Sequence, residues 1–109
     1  MSKMKELKAF QKAVHENAIT KGWWDRPSSN GENFMLMVSE LAEACEADRL
    51  GNPSDDKIPE FSGIEAELGD VIIRILDFAE AHQFNVIDAM LAKAEMNKTR
   101  SYKHDGKRY

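Results

Sequence analysis

The chain has 109 residues, 42% hydrophobic and 31% charged, with a formal net charge of −4 at pH 7. Domains commonly need about 100–200 residues, so this length predicts a single domain that spans residues 1–109. The acidic balance argues against nucleic acid as a partner, the single cysteine excludes an internal disulfide and a cysteine-based zinc site, and no apolar run reaches the ~18 residues of a membrane span, so we expect a soluble, cytoplasmic protein.

The periodicity of apolar residues predicts four helices and no strand. The helices are expected over residues 3–21, 30–50, 62–82 and 85–101, with glycine or polar residues between them. Helices joined by short connections form bundles. We therefore predict an all-α, four-helix bundle.

Two of these helices carry a capping-box pattern at their start. Ser29 with Glu32 predicts the start of the second helix, and Ser62 with Glu65 predicts the start of the third. Pro59 is an equally permissible start for the third helix, because proline is favoured in a first helical turn.

The third predicted helix is apolar on nearly all sides. A helix of this kind is usually central in its fold. In so short a chain, the extent of its apolar surface also indicates burial against a second subunit. We therefore expect dimerisation to complete the bundle.

Acidic residues lie among apolar ones on the second and third helices. Glu40 and Glu43 are three residues apart, as are Glu67 and Asp70, so each pair shares one helical face. Two carboxylates about 5 Å apart repel by roughly 3 kcal/mol at an effective dielectric near 20. Convergence of the two pairs therefore requires something that offsets the repulsion.

Three mechanisms could offset this repulsion. Protonation would raise a carboxyl pKa, and Arg74 could form ion pairs with Asp70 and Asp77 on its own helix. A divalent cation is the third, and an all-oxygen ligand set favours Mg²⁺ or Mn²⁺.

The fourth predicted helix presents nitrogen donors on one face. Lys93, Asn97 and Arg100 follow a spacing of four and then three residues, and their side chains suit phosphate oxygens. Residues 93–109 carry six basic and two acidic residues, whereas residues 1–92 have a net charge of −8.

Aromatic residues could stack on a nucleobase or pack in the bundle. The candidates for stacking are Trp23, Trp24, Phe34 and Tyr102. Other expectations are simpler: Cys45 is predicted in the core, and His15 and His82 at the surface.

These motifs resemble the MazG-like family of all-α nucleotide pyrophosphohydrolases. The resemblance lies in E-x-x-E at Glu40 and Glu43, then 23 residues, then E-x-x-D at Glu67 and Asp70. The local sequences SELAEACEA and ELGDVIIRILDFA also match, as does a K-x-x-x-N-x-x-R element that begins at Lys93. The similarity extends over most of the chain.

The resemblance implies Mg²⁺-dependent hydrolysis of nucleoside triphosphates to the monophosphate and pyrophosphate, by homodimers or dimers of dimers. The acids of the two motifs would bind the metal, and one of Glu40, Glu43 and Glu46 would accept the proton of the attacking water. The donors on the fourth helix would bind phosphate. Some relatives have an additional acid at the position of Ser39.

Two alternatives stay open at this stage. Phosphoribosyl-ATP pyrophosphohydrolases share the bundle and the acid pattern. A non-enzymatic, dimeric interaction module would instead neutralise its acids through salt bridges and bind no metal.

Overall fold

The computed structural model describes residues 2–100, which form four helices. They are α1 (Lys3–Thr20), α2 (Asn30–Arg49), α3 (Gly63–His82) and α4 (Val86–Asn97). β-type pairing in residues 2–100 is limited to one isolated bridge between Ser54 and Ser62. The all-α prediction is confirmed. None of these helices has the length and hydropathy that a membrane crossing requires.

Both predicted capping boxes are present. Ser29 Oγ accepts from the backbone N–H of Glu32 at 3.1 Å, and Ser62 Oγ accepts from the N–H of Glu65 at 3.2 Å. Each glutamate bonds back to the backbone N–H of its serine. Because α3 starts directly after Ser62, the alternative start at Pro59 is wrong.

Helix α4 ends at Asn97, about four residues before the predicted end. Beyond this point the backbone bonds connect residues three apart, from Thr99 N–H to Met96 O at 3.0 Å and from Arg100 N–H to Asn97 O at 3.3 Å. The Thr99 hydroxyl also donates to Met96 O at 2.8 Å. This competition for a helical carbonyl favours a tighter last turn.

Helix α3 is central, as its sequence predicted. It packs against both α2 and α1, whereas α4 packs against α1. The buried apolar residues of α3 are Leu76, Phe78 and Ala79, and Ile87 of α4 is also buried. The core therefore lies towards the C-terminal half of α3.

The other half of α3 has large apolar side chains that the described part of the chain leaves exposed. Ile72 is 56% exposed, and Leu68 and Ile73 are also exposed. Exposed apolar residues of α2 accompany them, and Cys45, predicted in the core, is exposed as well. The expectation for Cys45 is wrong because none of residues 2–100 covers its side of α2.

The connection between α2 and α3 is fixed to both helices. Gly51 and Asn52 adopt left-handed backbone conformations, with φ of 85° and 54°. Asn52 N–H donates to Ala47 O at 2.7 Å, and Asn52 Oδ1 accepts from Ile64 N–H at 2.9 Å. The start of α3 is thereby held against the end of α2.

Gly63 allows α2 and α3 to approach closely, because a Cβ added at this position would lie 2.9 Å from Ala47 Cβ. We expect Gly63→Ala to lower the free energy of unfolding by about 1–3 kcal/mol through overpacking. Urea denaturation followed by circular dichroism measures the change. Gly69→Ala is the control: apart from its chain neighbours and the adjacent backbone of its own helix, no described atom lies within 4 Å of its added Cβ, so it should stabilise by about 0.5–1 kcal/mol. Equal effects of the two substitutions would contradict this account of the helix contact.

Candidate functional site

The contact between α2 and α3 brings three carboxylates together. Glu40 of α2 and Glu67 and Asp70 of α3 each offer one oxygen, and these oxygens all lie within 4.8 Å of one another. Glu67 and Asp70 are adjacent on one face of α3. The sequence predicted that all four motif acids converge, whereas this close cluster contains three of them and not Glu43.

These carboxylates line an open cavity of about 360 Å³, which we call the acidic cavity. Its lining comes from α2, the connection and α3. The lining residues are Glu40, Glu43, Asp55, Asp56, Lys57, Ile58, Ala66, Glu67 and Asp70. All four predicted metal ligands therefore border one cavity.

Asp55 and Asp56 are members of this lining that the sequence interpretation missed. Asp55 Oδ2 accepts from the backbone N–H groups of Lys57 and Ile58 at 2.9 and 3.0 Å, which fixes the turn. Asp55 and Asp56 lie in a non-helical connection, so helical spacing does not predict that they line the cavity. Their only signal is an Asp-Asp pair in a polar connection next to the E-x-x-D motif.

Among the carboxyl groups that line the acidic cavity, Glu67 has the most strongly shifted pKa. The pKa of Glu67 is raised to about 7. Burial of its side chain is the main cause, and the hydrogen bonding and negative charge of Glu43 add to it. Glu67 Oε2 is buried and has no hydrogen-bond partner among the described residues. Two ionised carboxylates can only accept hydrogen bonds, so the proximity of Glu43 favours the protonated form of Glu67.

The pKa of Asp70 is shifted in the same direction. Burial and the charge of Glu40 raise the pKa of Asp70, and the positive charge of Arg74 opposes that increase. Asp55 also contributes to the upward pKa shift. The acidic cavity therefore disfavours negative charge in the absence of a cation.

Arg74 contacts the acid cluster across the helix interface. Its Nε donates to Glu40 Oε1 at 2.9 Å, with side chains 26% and 13% exposed. The sequence had suggested pairing with Asp70 and Asp77 on the same helix, whereas this bond joins α3 to α2. Arg74 Cζ also lies 5.1 Å from the centre of the Trp23 ring, a cation–π distance.

A second cavity, of about 280 Å³, lies beside Arg74, and we call it the Trp23 cavity. Glu40 and Asp70 line both cavities, so the two are adjacent. Trp23 is 61% exposed. Its ring is available to a ligand next to the acid cluster.

Trp24 is held by a different set of contacts. Its indole N–H donates to both carboxylate oxygens of Asp77, at 3.0 and 3.1 Å. His15 Nδ1 lies 2.7 Å from Asp77 Oδ1, and its ring meets the Trp24 ring edge to face. His15 is half-buried, so its predicted surface position is wrong, and this network connects α1, the first connection and α3.

The predicted phosphate-binding residues lie apart from the acidic cavity in the protomer. Lys93, Asn97 and Arg100 are exposed on or just beyond α4, which packs against α1. Because α4 ends at Asn97, Arg100 follows the helix rather than completing its face. Tyr102 and the rest of the basic segment 101–109 lie outside the described residues.

The donor set fits a hard divalent cation. Glu40, Glu67 and Asp70 supply oxygens close enough to share one ion, and Glu67 Oε2 is buried without a donor. A divalent ion would offset the carboxylate repulsion, and oxygen-only ligands suit Mg²⁺ and Mn²⁺.

Comparison of the chain with protein-family models, curated proteins and solved structures found no match.

The raised pKa of Glu67 predicts how stability depends on pH. Between the ordinary value of 4.5 and about 7, the folded protein retains a proton that the unfolded chain releases. The contribution of Glu67 is therefore complete below pH ~4.5 and is lost as the pH rises through ~7. Without divalent cations, we expect the thermal midpoint to fall between pH 5 and 8, and Glu67→Gln to reduce that fall.

Glu65→Gln is the control, because the cap hydrogen bonds of Ser62 lower the pKa of Glu65, and its contribution is lost towards acid pH instead. If the cluster binds Mg²⁺, the ion should raise the wild-type midpoint at pH 8 and have little effect at pH 5, where protons compete for the carboxylates. An identical Mg²⁺ effect in Glu67→Gln would show that Glu67 is not a ligand.

Proposed function

We propose that this protein is a Mg²⁺-dependent nucleotide pyrophosphohydrolase of the MazG-like type. It would convert nucleoside triphosphates to nucleoside monophosphate and pyrophosphate, with Mn²⁺ able to replace Mg²⁺. The observation that supports this proposal most directly is the convergence of Glu40, Glu67 and Asp70 across the α2–α3 contact. These acids belong to the E-x-x-E and E-x-x-D motifs, and their cluster borders an open cavity.

Glu40, Glu67 and Asp70 would hold the cation, with Glu43 beside them. When bound, Mg²⁺ supplies Lewis-acid polarisation of the phosphoryl group and lowers the pKa of a coordinated water. A triphosphate alone would be repelled by the acidic cavity. The acids therefore favour the substrate only as its metal complex.

Glu43 is the group that we propose as proton acceptor for the attacking water. It lines the acidic cavity but lies outside the close cluster of three oxygens, whereas Glu40 belongs to that cluster and would hold the cation. Glu46, three residues further along α2, is exposed and is not among the lining residues.

Trp23 is the aromatic residue best placed to contact a nucleobase or sugar. It lines the cavity adjacent to the acid cluster and has an exposed ring. We assign Trp24 a structural role instead, because Asp77 accepts its indole hydrogen. We keep Tyr102 as a candidate for base contact.

A homodimer would account for two features of the protomer. The apolar side chains around Ile72 on α3 and Met35 on α2 are uncovered, and their contact with a second copy would bury them. The donors Lys93, Asn97 and Arg100 lie away from the acidic cavity of their own protomer. We propose that they bind phosphate at a site completed across the subunit boundary.

We place this activity in the cytoplasm, with a nucleotide as substrate and a second copy of the chain as partner. Neither nucleic acid nor membrane is required for it. Nucleoside triphosphates and Mg²⁺ occur together in that compartment.

A panel of nucleoside triphosphates with Mg²⁺ tests the activity. The expected products are the monophosphate and pyrophosphate in equal amounts, measured by ion-exchange chromatography. Glu67→Gln and Asp70→Asn should each reduce kcat/KM at least about 100-fold, since metal-site residues contribute several kcal/mol to the transition state. Their helical content, measured by circular dichroism, should match that of the wild type.

Asp48→Asn provides the matched control, because it removes one exposed acid of α2 away from the cavity and should retain activity. Phosphoribosyl-ATP belongs in the same panel, and its exclusive hydrolysis would favour the second enzyme class. No pyrophosphate from any substrate, together with no heat of Mn²⁺ binding, would favour a non-enzymatic interaction module.

Sedimentation velocity tests the dimer. The wild type should sediment as a dimer at tens of micromolar, and Ile72→Glu should shift it to the monomer, because each interface would then bury two uncompensated charges. Ile19→Glu changes a comparably exposed isoleucine (51%) on α1 and should leave the dimer intact. A monomeric wild type would disprove this assembly.

A further inference from the structure

Arg74 lies at the boundary between the two cavities. It lines the Trp23 cavity, and its Nε–H donates to Glu40, which also lines the acidic cavity. Arg74 is the one basic residue among those that line the Trp23 cavity, where three carboxylates accompany it: Glu40, Asp70 and Asp77. A guanidinium therefore provides the local positive charge on this side of the cluster.

This guanidinium and a bound cation would compete for Glu40. Both are attracted to the same carboxylate, and they repel each other at this short range. The Glu40 contact uses Nε–H, while a guanidinium carries further N–H donors in a planar arrangement that matches phosphate oxygens. Trp23 provides a face on which the guanidinium can remain when it leaves the carboxylate.

We propose that Arg74 exchanges partners when the site is loaded. Without a divalent cation, it is the counter-ion of Glu40. Once a cation occupies the cluster, Arg74 releases Glu40 and binds a phosphate group of the polyphosphate substrate at the edge of the Trp23 cavity. This inference rests on the proposed function and adds an anion-binding residue to it.

The exchange couples the two binding events. An anion that enters before the cation meets three carboxylates and an arginine that is already paired. After the cation binds, the same anion meets a neutralised cluster and an available guanidinium. Arg74 therefore opposes cation binding and supports anion binding, two effects that a residue with a purely structural role would not combine.

Arg74→Met separates these effects, because methionine retains much of the length but no charge. We expect Mn²⁺ alone, titrated and followed by the electron paramagnetic resonance of the free ion, to bind about tenfold more tightly than to the wild type. Inorganic pyrophosphate at saturating Mn²⁺, measured by equilibrium dialysis, should bind at least about tenfold more weakly. Arg49→Met, an exposed arginine at the end of α2, is the control and should change neither affinity.

Arg74→Lys is the conservative variant. Because it keeps the positive charge, it distinguishes the loss of a specific contact from misfolding. It should leave Mn²⁺ affinity within about threefold of the wild type and weaken pyrophosphate binding, because lysine lacks the planar donor arrangement. Circular dichroism should give the same helical content for every variant.

A second comparison is made without a cation and uses a substitution that removes the carboxylate partner of Arg74. Glu40→Gln removes the partner of Arg74, whereas Asp70→Asn removes one charge and leaves the ion pair in place. Without metal, pyrophosphate should bind more tightly to Glu40→Gln than to Asp70→Asn. Equal affinities would count against the exchange.

The outcomes distinguish this inference from the proposed function. Mn²⁺ and pyrophosphate affinities that change in the same direction in Arg74→Met, or do not change, overturn the exchange and leave the metal site and hydrolysis standing. Wild-type protein that binds no Mn²⁺ overturns both. Opposite changes, with an unaffected Arg49→Met, support the exchange.

Discussion

The mutual repulsion of Glu40, Glu67 and Asp70 is the constraint around which the rest of the site is arranged. Helix packing brings their oxygens within 4.8 Å, and the close contact at Gly63 holds the two helices together near one end of the cavity. Burial of the apolar core therefore stabilises this helix packing, whereas repulsion between the three carboxylates destabilises it locally. The raised pKa of Glu67 and the ion pair of Glu40 are two different responses to the same opposition.

Those two responses divide the cluster. Burial and the neighbouring Glu43 raise the pKa of Glu67, whereas Glu40 Oε1 accepts a hydrogen bond from Arg74 Nε. A proton and a guanidinium are both replaceable by a stronger positive charge. In the function that we propose, a bound divalent cation would take the place of both the proton and the guanidinium.

The sequence predicted most of the fold, because helix boundaries depend on local chemistry. The serines at 29 and 62 cap their helices as expected, and the apolar composition of α3 indicated its central position. The acid pairs were also predictable from helical spacing. Three features were not predictable from spacing. Asp55 lies in a connection without a periodic pattern, and Arg74 bonds across the α2–α3 contact to Glu40. Asp77 binds partners that are 53 and 62 residues away in the sequence. Such long-range contacts depend on how helices are placed, which local spacing does not specify.

The connection between α2 and α3 is bonded to both adjoining helices: Asn52 N–H donates to Ala47 O of α2, and Pro53 O and Asn52 Oδ1 accept from the N–H groups of Gly63 and Ile64 of α3. Proteases cut preferentially at exposed, weakly bonded loop tips, and insertions are best tolerated there. Asp55 is held inside this segment, because its N–H donates to Phe61 O at 2.9 Å and its carboxylate accepts from the N–H groups of Lys57 and Ile58. Cleavage or insertion at the exposed residues around Glu60 would therefore be tolerated better than cleavage or insertion beside Asp55, which lines the acidic cavity.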